Sequence, residues 1–314
     1  LNIIATLGPI FLLLIIGWGL KRARFPGDAF WPLVERLIYF ICFPALLVVR
    51  LADARFEGEA ALNLVWSVVI LVFMAAALLL LLQRFWRFKG AVFTSVFQGG
   101  IRFNSYVALA VAAGLLPGQG VVLAAIAASV MIPILNIMCV LVFATYQDNK
   151  PSPKRVLLNV VQNPLILSCV LGLVLNLGGV SLTPMLTQVL ELLAQIALPL
   201  GLLAVGAALQ LKGLGGAKAP LLLAFIFRLF LMPTIALVAG ALVGLPESAL
   251  QVLLVFAGVP AASSAYILAR QLGGDAPLMA AILSAQTLGA MVSLPLVLAI
   301  GLQVYPSLLL VLGN

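Results

Sequence analysis

Gln98-Gly99-Gly100-Ile101-Arg102-Phe103-Asn104-Ser105 and Gly258-Val259-Pro260-Ala261-Ala262-Ser263-Ser264 interrupt two long apolar runs. Glycine is a poor helix former, and proline removes a backbone donor and clashes with the preceding turn. Each stretch therefore predicts a helix broken near its middle. A break exposes the N-terminus of a second half-helix, with partial positive charge and free N–H groups suited to an anion. Paired breaks at corresponding places in two halves of a chain point to a binding site at the middle of a membrane.

The sequence around the breaks is that of a membrane protein. Of 314 residues, 64% are hydrophobic and 8% charged. Soluble domains have roughly 45–50% apolar and about 25% charged residues, so this chain lacks the charge to cover a globule. It is too hydrophobic to be disordered. A spanning helix needs about 20 apolar residues. Apolar runs fall at roughly 2–20, 31–50, 61–83, 91–115, 119–146, 156–178, 186–210, 219–243, 248–270 and 277–304. Lipid requires backbone groups to be satisfied within each segment, and barrel alternation is absent. The expected fold class is an all-α polytopic membrane protein with ten transmembrane helices. The run Leu1 to Leu20 lacks a basic leader and a small-residue cleavage site, and is expected to be the first span.

Lysine and arginine are distributed unevenly. Loop 1 holds Lys21, Arg22 and Arg24, loop 3 Arg84, Arg87 and Lys89, and loop 5 Lys150, Lys154 and Arg155. Loop 7 holds Lys212 and Lys218, and loop 9 Arg270. The even loops carry only Arg50 and Arg55. Positive residues stay inside, so the odd loops are expected in the cytoplasm and both termini outside. The net charge of +8 is thus a topology signal and not a nucleic-acid footprint.

The polar connector around Pro151 and Pro153 splits the chain into a first five-helix repeat (1–146), a cytoplasmic linker (147–155) and a second five-helix repeat (156–314). Phe43-Pro44-Ala45-Leu46-Leu47 resembles Leu198-Pro199-Leu200-Gly201-Leu202, and Asn104-Ser105-Tyr106 resembles Ser264-Ala265-Tyr266. Ala124-Ala125-Ile126 likewise resembles Ala280-Ala281-Ile282. Five spans per half turn the second repeat upside down, an inverted repeat.

Chemistry narrows next. The absence of histidine removes His-based zinc, haem and nucleophile sites. Cys42, Cys139 and Cys169 lie in apolar runs without a CxxC spacing, as packing residues do. No metal or cofactor is expected. Arg102 sits deep in a span, where insertion costs about 2.5–3.5 kcal/mol, so it should face a cavity or a partner. Arg228 is similarly deep, with a structural bond to backbone the simpler reading. Glu35, Glu191 and Asp275 lie toward span ends. The centre therefore carries positive charge and favours an anion. Candidate binding residues are Gly100, Arg102, Asn104 and Ser105 in span 4, and Pro260, Ser263, Ser264 and Tyr266 in span 9. Gln98, Asn136, Gln286 and Thr287 could line a polar pocket or hold sodium, although interhelical hydrogen bonds are their usual use.

These residues resemble a known family. Gln162-Asn163-Pro164, the run Gly258 to Gln271 followed by Gly273-Gly274-Asp275-Ala276-Pro277, Ser293-Leu294-Pro295 and Arg102-Phe103-Asn104-Ser105-Tyr106-Val107 are similar to motifs of the auxin efflux carriers, in their bacterial malonate-transporter-like branch. The resemblance covers nearly the whole chain. It implies ten helices in two inverted repeats, the fold of bile-acid sodium symporters, with helices 4 and 9 crossing. It implies a scaffold from spans 1, 2, 6 and 7, and a transport domain from spans 3, 4, 5, 8, 9 and 10 that moves as an elevator. It also implies a homodimer through the scaffold. Asn104 matches the family's crossover asparagine, which helps bind a carboxylate in plant members. Phe103 replaces the plant proline, so the first crossover is expected to rely on Gly99 and Gly100.

The function expected is secondary transport of a small mono- or dicarboxylate, malonate-like, across a bacterial inner membrane. Alternatives are a sodium-coupled symporter and a membrane sensor that binds without flux. Coupling to sodium or protons is open. Gly273-Gly274-Asp275 faintly resembles an aspartyl-protease motif but lacks a partner aspartate in a span, and no enzyme activity is expected.

Overall fold

The computed structural model describes residues 3–54, 58–146, 158, 161–210 and 218–312. The linker 147–155, and with it Lys150, Lys154 and Arg155, lies outside the described residues, as do Arg55 and Lys212. Among the described residues every regular element is a helix. They are α1 (Ile3–Arg22), α2 (Phe30–Ala52), α3 (Gly58–Trp86), α4 (Gly90–Ile101), α5 (Ser105–Leu115) and α6 (Gly120–Tyr146). The chain continues as α7 (Pro164–Leu177), α8 (Pro184–Ala207), α9 (Lys218–Val243), α10 (Glu247–Gly258), α11 (Ser264–Leu272) and α12 (Ala276–Leu312).

By length and composition, seven of these helices could each cross a membrane: α1, α2, α3, α6, α8, α9 and α12. The others are short for two reasons. The fourth and ninth apolar runs are each split in two, as α4 with α5 and α10 with α11. In the sixth, the described helix begins at Pro164. Many large apolar side chains point outward, among them Leu12, Phe73, Leu141, Leu177 and Val292. So much exposed apolar surface marks contact with something other than water.

Two prolines reshape long helices without breaking them. Pro44 and Pro233 each follow a widened turn, Ile38–Cys42 in α2 and Phe227–Leu231 in α9. There Phe43 N–H bonds back five residues to Ile38 and Met232 N–H to Phe227. The extra residue lets the helix pass the missing proline donor, and such single π turns are frequent at functional sites.

Packing divides the helices into two groups. In one, α1 lies along α8, and α2 contacts both α7 and α8. In the other, α3 packs on α9 and α6, while α10 and α12 pack on α9 and on each other. The closest approach in the first group is glycine-built. A Cβ on Gly17 would strike the backbone of Leu203, and one on Gly206 that of Leu14. Small residues that let backbones touch are the usual device where lipid leaves no hydrophobic drive between helices.

The first break corrects one expectation. Gly99 and Gly100 are helical and buried, and the chain leaves the helix only at Arg102, whose backbone is extended. The glycines make room instead: a Cβ would lie 2.7 Å from Ile282 at Gly99 and 2.8 Å from Leu79 at Gly100. The break itself is made by Arg102 to Asn104. Asn104 Oδ1 accepts from the N–H groups of Tyr106 (3.0 Å) and Val107 (3.3 Å), which starts α5 with a side-chain cap.

Candidate functional site

The two breaks meet. Asn104 N–H donates to the Pro260 carbonyl at 2.8 Å. Phe103 is buried against Phe256 of α10, with ring centroids 4.8 Å apart. Gln286 of α12 joins both sides: its Nε2 donates to the carbonyls of Gly99 and Ala224 at 2.9 Å each, and its Oε1 accepts from Ala261 N–H at 3.0 Å. A buried amide with all these partners is costly to replace, because each would be left unpaired.

Beside the junction lies a cavity of about 160 Å³ lined by Tyr39, Arg102, Ser105, Asn136, Asn163 and Ser264, among others. Two wider lobes share Tyr39 and Ser264 with its lining. One, of about 490 Å³, adds Glu35, Arg36, Asn104, Tyr106 and Ser263. The other, of about 400 Å³, adds Gln162, Leu268 and Gln271. Ser105 and Ser264 are the first residues of α5 and α11, so two helix N-termini border the small cavity.

Arg102 is the cation of that cavity. Its Nη1 donates to Asn136 Oδ1 at 3.0 Å and its Nη2 to Ser264 Oγ at 3.1 Å. Its buried Nε has no hydrogen-bond partner. Among the described residues the only ion pair joins Lys21 to Asp28 at 2.8 Å, in the exposed turn after α1. There the Lys21 ammonium, by hydrogen bond and by charge, holds the Asp28 carboxyl below its ordinary value. Among the described residues no carboxylate pairs with Arg102 or with Arg228.

The other sequence candidates divide. Ser105, Asn136 and Ser264 line the small cavity, and Asn104 and Ser263 the larger lobe. Asn104 is 3% exposed, and its carboxamide oxygen is engaged as the helix cap. Pro260 is buried and contributes its backbone carbonyl. Gly100 lines none of these cavities; it faces Leu79 and Phe227. Tyr266 packs on a separate apolar cluster that includes Ala261 and Ala265. Thr287 donates to the Leu283 carbonyl of its own helix. Gln98 is fully buried, and neither atom of its amide has a partner. Asp275 caps α12, its Oδ1 accepting from Leu278 N–H at 2.9 Å. All three cysteines are free and buried.

Three residues were not candidates from the sequence. Glu35 Oε1 accepts from Ser263 Oγ at 3.2 Å, which links α2 to the second break. Tyr39, one turn further along α2, lines all three lobes. Asn163 borders two lobes and caps α7 through its side chain. The i, i+4 spacing of Glu35 and Tyr39 in an apolar run was the available signal, since it sets both on one helix face.

A separate cavity of about 310 Å³, lined by Arg50, Asp53 and Gln119 among others, shares no residue with these lobes. No curated protein matches the chain. Residues 147–298 match the family model described as Membrane transport protein. That match runs through the second break, Arg228 and Gln286. Over these residues the chain is similar to the membrane transport protein family, that of the auxin efflux carriers.

Proposed function

We propose that the protein is a secondary transporter of a small organic anion, a dicarboxylate of malonate type or a related monocarboxylate. The observation that carries this reading is Arg102, a cation without a carboxylate partner at a cavity bordered by both helix breaks. Each helix N-terminus contributes roughly half a positive charge. With the N-termini of α5 and α11 and one guanidinium, the cavity offers about two positive charges, the match for a dicarboxylate. Glu35 and Arg36 in the wider lobe offset one another. A cavity of about 160 Å³ is well below the roughly 300–1,000 Å³ of drug-sized sites and favours a ligand of a few carbons.

The fold reading goes with it: ten membrane crossings in two inverted repeats, with the α4–α5 and α10–α11 pairs crossing at mid-membrane. The contact between Asn104 and Pro260 supports the crossing. In this reading α1, α2, α7 and α8 form the scaffold. The rest, spans 3, 4, 5, 8, 9 and 10, moves against it as an elevator. The two packing groups support that division. Dimerisation through the scaffold, a bacterial inner membrane and periplasmic termini complete the proposal.

The test is uptake of labelled malonate into proteoliposomes, with and without a sodium gradient, and equilibrium binding to purified protein. Wild type should bind and carry the anion, and Arg102→Ala should fold and do neither. Unchanged binding in Arg102→Ala removes the site. Saturable binding without flux turns the reading to a sensor.

A further inference from the structure

Among the described residues Arg228 is the largest fully buried side chain, at 0% exposure. It lies in the widened turn of α9. Its Nε donates to the Val259 carbonyl at 2.7 Å, its Nη1 to the Ile101 carbonyl at 3.3 Å and its Nη2 to the Phe256 carbonyl. Ile101 is the last residue of α4, and Phe256 and Val259 belong to the end of α10. One guanidinium therefore spans the C-termini of both broken helices.

Charge arithmetic gives this geometry its meaning. Helix C-termini carry roughly half a negative charge each. The two ends sum to about one negative charge, and one guanidinium neutralises it. In transporters built on discontinuous helices, such ends and the unwound carbonyls beside them are where a coupling sodium is coordinated. Here the neighbouring carbonyls are also engaged. Gly99 accepts from Gln286, Gln98 from Arg102 N–H, Val255 from Val259 N–H and Pro260 from Asn104 N–H. A sodium ion at this place would meet a full positive charge and few free oxygens.

We infer that Arg228 is a resident cation, fixed in the position that a coupling sodium ion would fill between the breaks, and that the protein binds and moves its anion without sodium. Arg228 is thus a positioning residue: it holds the two half-helices whose partners α5 and α11 border the anion cavity. The statement about flux rests on the transporter reading above; the statement about ion binding does not.

The experiment separates the two. First, the thermal midpoint of purified wild-type protein is compared in sodium chloride and choline chloride at equal ionic strength. A bound ion raises the midpoint by mass action, so wild type should show no sodium-specific rise. A sodium-specific rise of several degrees overturns the inference whether or not any anion is transported. Second, Arg228→Ala should have a lower midpoint, restored specifically by sodium or by guanidinium ion at sub-denaturing concentration and not by choline. A lowered midpoint indifferent to the cation assigns Arg228 a purely structural role and overturns the inference. Arg228→Lys keeps the charge and should need no added cation. Where Arg228→Ala does not accumulate, sodium dependence of wild type and of Arg228→Lys decides. Third, anion uptake by wild type should agree within about twofold between the two salts, since a resident ion removes the mass-action dependence. Absence of flux with sodium-indifferent midpoints in wild type counts against the transporter reading alone.

Discussion

The two breaks are built by opposite means. The first, between α4 and α5, shapes itself: Arg102 extends the chain, and Asn104 caps the next helix with its own side chain. The second, between α10 and α11, contains Pro260, and its N-cap residue Ser263 makes no side-chain cap bond. It is held from outside, by the bond between Glu35 and Ser263 and by Arg228 from α9 and Gln286 from α12, which also bind the end of α4. The difference separates two jobs. The break that caps its own second helix bears the charge that faces the cavity. The supported break supplies backbone and hydroxyls, and its shape depends on neighbours that could release it.

Substitutions at five positions test that contrast. Gln286→Leu should have the largest effect on stability, about 3 kcal/mol, because buried partners on both breaks lose their bonds together. Denaturant unfolding in detergent reads it. A loss well below that would mean the second break supports itself. Arg102→Ala comes next: truncating one member of a buried charge pair costs about 2 kcal/mol or more, which is roughly 30-fold in anion affinity. Ser264→Ala on the other break should cost less than about tenfold. Equal losses in a binding titration would end the division of labour. Asn104→Ala should lower stability by about 1 kcal/mol, the worth of a helix cap. Hydrogen exchange should localise that loss to the first turn of α5. Ser263→Ala is the mildest, below about 1 kcal/mol for one hydrogen bond. Its informative readout is Glu35, whose carboxyl stretch in infrared difference spectra should shift when the hydroxyl is removed.

The breaks were legible because glycine, proline and polar residues are local signals inside apolar runs. Arg102 was legible because a charge in such a run is expensive wherever it falls. A backbone bond for Arg228 was legible too, and an interhelical one for Gln286, but not the partners that the holding groups reach. Arg228 reaches carbonyls 28, 31 and 127 positions away, and Glu35 meets a serine 228 positions away. No local pattern encodes those pairings. The glycines were misread for a related reason. Gly99 and Gly100 have low helix propensity, but close packing against Ile282, Leu79 and Phe227 keeps them helical. Tertiary contact overrides propensity there.

The contact of Gly17 with Leu203, and of Gly206 with Leu14, works as a mechanical key. Sliding α1 along α8 by one helical turn, about 5.4 Å, would bring Leu13 or Lys21 to the place of Gly17, or Leu202 to that of Gly206. Side chains do not fit where the backbones touch. The two helices are indexed to each other like teeth on a shaft, and they travel together or not at all. Any shear plane in this molecule must therefore run along another seam.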